Sequence, residues 1–135
     1  MPNIIIPVVK KIFVCDDVIG DPVSGKASVL NVWNAIRVPS HSFPYALGKV
    51  CVFAQFRGGV GAISTHVEIV QANTGKLVRR SKAFVLSFVD RTISFRTKIE
   101  LEDVVFPAAG VYFVEMFCNH QFVDDQPIRV ISDPS

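Results

Sequence analysis

From Ile93 to Glu102 the side chains change character at almost every step. Ile93, Phe95, Ile99 and Leu101 hold odd positions, while Ser94, Arg96, Lys98, Glu100 and Glu102 hold even ones. Successive side chains of an extended strand point to opposite faces, so this stretch packs one face and wets the other. Elsewhere, segments rich in Val, Ile and Phe are short and bounded by Gly, Pro, Asn and Asp. That is the signature of strands, and helical periodicity is hard to find. Strands are predicted near residues 11–15, 28–38, 49–57, 63–71, 77–88, 93–103, 111–118 and 128–131. With no crossover helices between them, about eight strands at this spacing predict an all-β fold, an antiparallel sandwich.

The 135 residues suit a single domain over 1–135, with residues 1–9 set aside as an apolar arm or edge strand. Half of the residues are hydrophobic and only 19% are charged. That is more apolar surface than one small core hides, so an oligomer or a bound protein partner is expected. A net charge of +2 is too even to argue for nucleic acid or an acidic membrane. No apolar run approaches the roughly 18 residues that span a bilayer. The N-terminal stretch Met1–Lys11 places its lysines after the apolar residues and is broken by Pro7, unlike a signal peptide. Cys15, Cys51 and Cys118 are odd in number and lack short spacing. They are expected to be small buried hydrophobes in a reducing cytoplasm, with one disulfide plus one free thiol as the alternative.

Parity also predicts a surface. If Tyr112, Val114, Met116 and Cys118 face the core, then Phe113, Glu115 and Phe117 face outward. Two outward phenylalanines flanking one acid make a poor solvent face and a good contact surface. The apolar arm with Ile4, Ile5 and Ile6 is a candidate cover for it, in its own subunit or a neighbour. A turn at Asp90-Arg91 would set Phe88 against Ile93, Leu86 against Phe95, Phe84 against Thr97 and Arg79 against Glu102. Arg80 and Lys82 fit an inner face poorly, which predicts a bulge or a sheet edge near them.

The chemical motifs favour structural readings. Gly20-Asp21-Pro22-Val23-Ser24-Gly25-Lys26 copies most of a phosphate loop, but Ala27 replaces the hydroxyl residue. The alternating stretch after it is a strand where that mechanism needs a helix. Gly58-Gly59-Val60-Gly61 lacks a third glycine at Ser64 and reads as a connection. His41, His66 and His120 form no short-spaced ligand pair, so no metal site and no cofactor is expected. No nucleophile, histidine and acid are placed recognisably, so no catalytic residue is assigned and no enzyme is expected. Arg79, Arg80, Lys82, Arg91, Arg96 and Lys98 make the best case for nucleic acid, but Glu100 and Glu102 interrupt them and few aromatics interleave. Trp33 is expected to anchor the core. Asp16, Asp17, Tyr45, His120 and Asp124 are the alternative set, loop-end groups for Ca²⁺, a sugar or another small molecule.

The stretch Phe106-Pro107-Ala108-Ala109-Gly110-Val111-Tyr112 resembles the corner of immunoglobulin-like sandwiches where Gly-x-Tyr opens a late strand. Cys15-Asp16-Asp17, then Gly25-Lys26 leading to Asn31-Val32-Trp33, then this corner and the closing strand 127–131 resemble a family of small bacterial proteins of unknown function. The resemblance implies an immunoglobulin-like Greek-key β-sandwich and carries over no catalytic residue. The expected function is a non-catalytic interaction or assembly module, self-associating or docked on a protein, without nucleic acid or membrane.

Overall fold

A computed structural model describes residues 3–21 and 26–133. Ten strands are present among them: β1 (Val8–Asp21), β2 (Lys26–Val32), β3 (Ala35–Pro39), β4 (Tyr45–Arg57), β5 (Gly61–Gln71), β6 (Leu77–Arg80), β7 (Phe84–Phe88), β8 (Ser94–Phe106), β9 (Gly110–Cys118) and β10 (Gln121–Asp133). They build a four-stranded sheet in the order β2-β1-β4-β8 and a six-stranded sheet in the order β3-β10-β9-β5-β6, with β7 also on β5. The chain is all-β, as the alternation predicts. Neighbouring strands run antiparallel except β3 and β10, which are parallel through Ala35–Arg129 to Pro39–Asp133. Residues 22–25, the middle of the predicted turn and of the phosphate-loop-like stretch, lie outside the described residues. The strands on either side pair antiparallel, Asp21 with Lys26, so a strand follows that motif.

One core lies between the sheets, and strand alternation supplies it from both sides. Val50, Val52, Ala54 and Phe56 of β4 meet Tyr112, Val114, Met116 and Cys118 of β9, all fully buried. The rings of Phe106 and Tyr112 cross at 4.9 Å and 70°, an edge-to-face contact of about 1 kcal/mol beyond area burial. The intervening residues of β4 point the other way. Cys51 and Phe53, with Cys15 and Val18 of β1, form a second cluster on the outer face of the four-stranded sheet, packed by Phe13, Ala27 and Val29. All three cysteines are buried free thiols.

The predicted register between 84–88 and 93–102 is corrected. β7 pairs with β5, Phe88 opposite Gly61 and Leu86 opposite Ile63, while β8 pairs with β4. The segment between them crosses from one sheet to the other, held by Asp90, which accepts from the amides of Thr92 and Ile93. Phe88 and Phe95 do meet, edge to face at 4.9 Å, across the interior. Arg79 lies opposite Ile69 rather than Glu102. The predicted strand 77–88 breaks at Ser81, where Arg80 and Lys82 fitted poorly.

The arm is also placed. Ile5 and Val60 exchange both backbone hydrogen bonds at 3.0 Å, and Ile4 packs on Gly61, whose φ of +94° suits glycine. The arm therefore tethers the β4–β5 connection of its own subunit and does not cover the outward phenylalanines. Ile4 and Ile5 stay 54% and 40% exposed.

Candidate interaction face

The outer face of the six-stranded sheet is a grid set by register. On β5, β9 and β10, His66 lies opposite Phe117 and Phe117 opposite Phe122. One step along, Glu68 faces Glu115 and Glu115 faces Asp125; beyond them Val70 faces Phe113 and Phe113 faces Pro127. An aromatic row, an acidic row and an apolar row thus cross the same three strands. The sequence places Phe113, Glu115 and Phe117 on the outside by parity, and all three are half-buried there.

The aromatic row is packed. The His66 imidazole stacks on the Phe117 ring at 4.9 Å and 4°, and Phe122 meets Phe117 nearly perpendicular at 6.1 Å. His66 Nε2–H donates to Glu68 Oε2 at 2.9 Å, and Arg80 Nε–H donates to the same oxygen at 3.1 Å. Arg80 sits opposite Glu68 on β6, so it caps the acidic row at its first member. Glu115 and Asp125 form no ion pair among the described residues. Burial, and then the charges of Asp125 and Glu68, push the Glu115 carboxyl above its ordinary value. A cavity of about 300 Å³ opens beside this grid, lined by His66, Glu68, Arg80, Ser81, Phe117 and His120.

His66, Glu68, Arg80 and Phe122 join the site without being predicted as part of it. They share no motif, and only the register of β5 on β9 brings them to Glu115 and Phe117. Ser81 supports them from below. It joins β5 where β6 and β7 separate, its amide donating to Val67 O at 2.8 Å and its Oγ accepting from the Val67 amide at 2.9 Å.

The predicted ligand-end set is dispersed. Asp16 accepts from Asn31 Nδ2 at 2.8 Å, and Asp17 accepts from Lys98 Nζ at 3.2 Å, both on the four-stranded sheet. The Val18 amide, and next Lys98, hold the Asp17 carboxyl below its ordinary value. Tyr45 opens β4 opposite Phe106. His120 stands in the β9–β10 turn, its ring 6.1 Å from that of His66, and Asp124 accepts from the Asp125 amide. Asp16 borders a cleft of about 390 Å³ with Asn31, Trp33, Ile36, Leu47 and Lys49, away from the cavity that His120 lines. No group of three His, Cys, Asp or Glu side chains among the described residues is arranged to hold a metal ion. No helix among them is long and apolar enough to cross a membrane.

No curated protein matches the sequence. Among solved structures, the fold is similar to part of the Pseudomonas fluorescens alkylpurine DNA glycosylase AlkC bound to DNA containing an abasic site analog. The TM-score is 0.54 at 9% identity, over 93% of this chain and 30% of that one. The chain therefore spans less than a third of that protein, and the likeness is one of fold. Residues 10–131 match the model of a family of unknown function, DUF6941, and the chain belongs to that family.

Proposed function

We propose that this protein is a non-catalytic interaction module, an immunoglobulin-like Greek-key sandwich that docks on a protein partner through the outer face of β5, β9 and β10. The fold assignment draws on the Tyr112 corner, where the hydroxyl donates to Ala108 O at 2.6 Å. It draws also on the pairings β4–β8 and β5–β9, which join strands distant in sequence. The reading of function rests on one observation: Glu115 is half-buried between Phe113 and Phe117 and has no cationic partner among the described residues. A carboxylate drained of water and flanked by aromatics is stabilised by a guanidinium or ammonium that arrives with apolar surface around it. The partner is a protein or a second copy presenting Arg or Lys among aliphatic or aromatic side chains. The free thiols fit a reducing bacterial cytoplasm.

DNA is the ligand of the glycosylase complex, and nothing in a 9%-identical fold carries that here. The local cations are partly spent on acids: Arg80 on Glu68, and Lys98 on Asp17 and Glu100.

Selection from a displayed random-peptide library tests the reading. Peptides combining Arg or Lys with large apolar residues are expected to enrich on the native chain and to be lost on Glu115→Lys and Phe117→Ser. Enrichment indifferent to both substitutions would refute it.

Small-molecule binding is a second reading, favoured by the cleft at Asp16 and Trp33. Trp33 is the only tryptophan, so its fluorescence reports that cleft directly.

A further inference from the structure

The far edge of β8 is a second surface, which shares Arg80, Ser81 and Ala83 with the cavity beside the β9 face. β8 closes the four-stranded sheet on one side, and among the described residues no strand pairs with its outer edge. From Thr97 to Glu102 that edge borders an open groove of about 500 Å³, whose other wall runs from Arg79 to Phe84. An unpaired row of backbone amides and carbonyls is a template for another strand unless something blunts it. The stretch from Ser94 to Glu102 holds no proline, and the irregularity that ends it comes only at Asp103, with φ +56°.

We propose that this edge pairs antiparallel with the β8 edge of a second copy, about a two-fold axis through Ile99. The argument is charge complementarity along the strand. Arg96, Lys98, Glu100 and Glu102 all stand on the outer face, in the order plus, plus, minus, minus. Reversing that order and centring it on Ile99 sets Lys98 against the partner subunit's Glu100, and Arg96 against the partner subunit's Glu102. Both pairs occur twice by symmetry.

Other registers are poorer. A shift of two residues keeps only one kind of opposite-charge pair and sets Lys98 against itself or Glu100 against itself. A shift of one sets these charges against Ile99 and Leu101, which are 4% and 1% exposed and belong to the core face. In the Ile99-centred register that core row continues from one subunit into the next.

Within one chain, Lys98 already contacts Asp17 at 3.2 Å and Glu100 at 3.4 Å, and Lys49 approaches Glu100 at 3.8 Å. These contacts make the test discriminating. Sedimentation velocity on the full chain at micromolar concentration is expected to show a dimer. Lys98→Glu and Glu100→Lys, each alone, are expected to weaken it about tenfold, two pairs turning from attraction to repulsion. The combined K98E/E100K chain regains the cross-axis pairs and is expected to recover the dimer. The same double swap puts an acid at position 98 beside Asp17 and a cation at position 100 beside Lys49. The swap restores only the intrachain contact between positions 98 and 100, so a merely intrachain role would leave the double variant no better than either single one. If Lys98→Glu fails to fold, Lys98→Gln still weakens the dimer and lowers its sensitivity to salt. A monomer at all concentrations, a dimer indifferent to the single swaps, or one lost to Phe117→Ser instead would overturn the proposal. Peptide selection on the β9 face is unaffected by a failure here.

Discussion

The hydroxyl of Ser81 accepts a hydrogen bond from the Val67 amide at 2.9 Å, completing a ladder position that the backbone of β6 and β7 leaves open. Val67 is fully buried, so its N–H has no water to turn to. Ser81→Ala strands that donor and is expected to cost about 1–3 kcal/mol. Urea unfolding of the two chains measures it. An unchanged midpoint would mean that β6 and β7 can close the gap without the hydroxyl.

Tyr112 ties the turn before β9 to the strand itself. Its hydroxyl donates to Ala108 O and accepts from Ala108 N, while its ring stays in the core. Tyr112→Phe keeps the ring and removes the tie, at an expected cost of about 1 kcal/mol in thermal or chemical denaturation. Phenylalanine matching tyrosine in stability would remove the corner from the account of this fold.

Glu115 sets a pH dependence with a definite sign. Its carboxyl is held above the ordinary 4.5, by burial first and then by Asp125 and Glu68. The folded chain therefore binds that proton more tightly than the unfolded one. The contribution is fully present below the ordinary value and is lost as pH rises through the folded value. Glu115→Gln is expected to stabilise the free protein at neutral pH, with the gain fading as pH falls through the raised folded value and gone by about pH 4. Melting temperatures across that range decide it, and a gain that persists in acid would contradict the assignment.

The thiols should be silent. Burial, and then the neighbouring Cys15, push the Cys51 thiol up to about 12, and burial raises Cys15 and Cys118 as well. A disulfide reagent at mildly alkaline pH is expected to modify native chain only as fast as the chain opens, and all three thiols at once in urea. Rapid stoichiometric labelling of folded protein would refute the burial of at least one.

How far the sequence reaches is clearest at β8 and β9. Parity groups Phe113, Glu115 and Phe117 on one face and Tyr112, Val114, Met116 and Cys118 on the other, and the single charge of Glu115 points to the first group as the outer one. The same parity cannot say whether two inward rings meet within a sheet or across the space between the two sheets. Phe88 and Phe95 meet across it, though their spacing fits a hairpin equally well. His66, Glu68, Arg80 and Phe122 come to the site through long-range register, for which a single sequence holds no local signal. The parallel pairing of β3 with β10 is hidden for the same reason: residues 28–38 read as one strand until Asn31, at φ +51°, and the residues after it turn the chain toward the other sheet.

The claim on which the rest depends is that the β9 face is covered by a protein. A photo-crosslinking residue at position 117, in cells that naturally make this chain, tests it most directly, with the exposed β1 position 19 as control. The expected result is one defined protein adduct from 117, absent from 19 and abolished by Glu115→Lys. Adducts alike at both positions, or none at 117, would contradict the account.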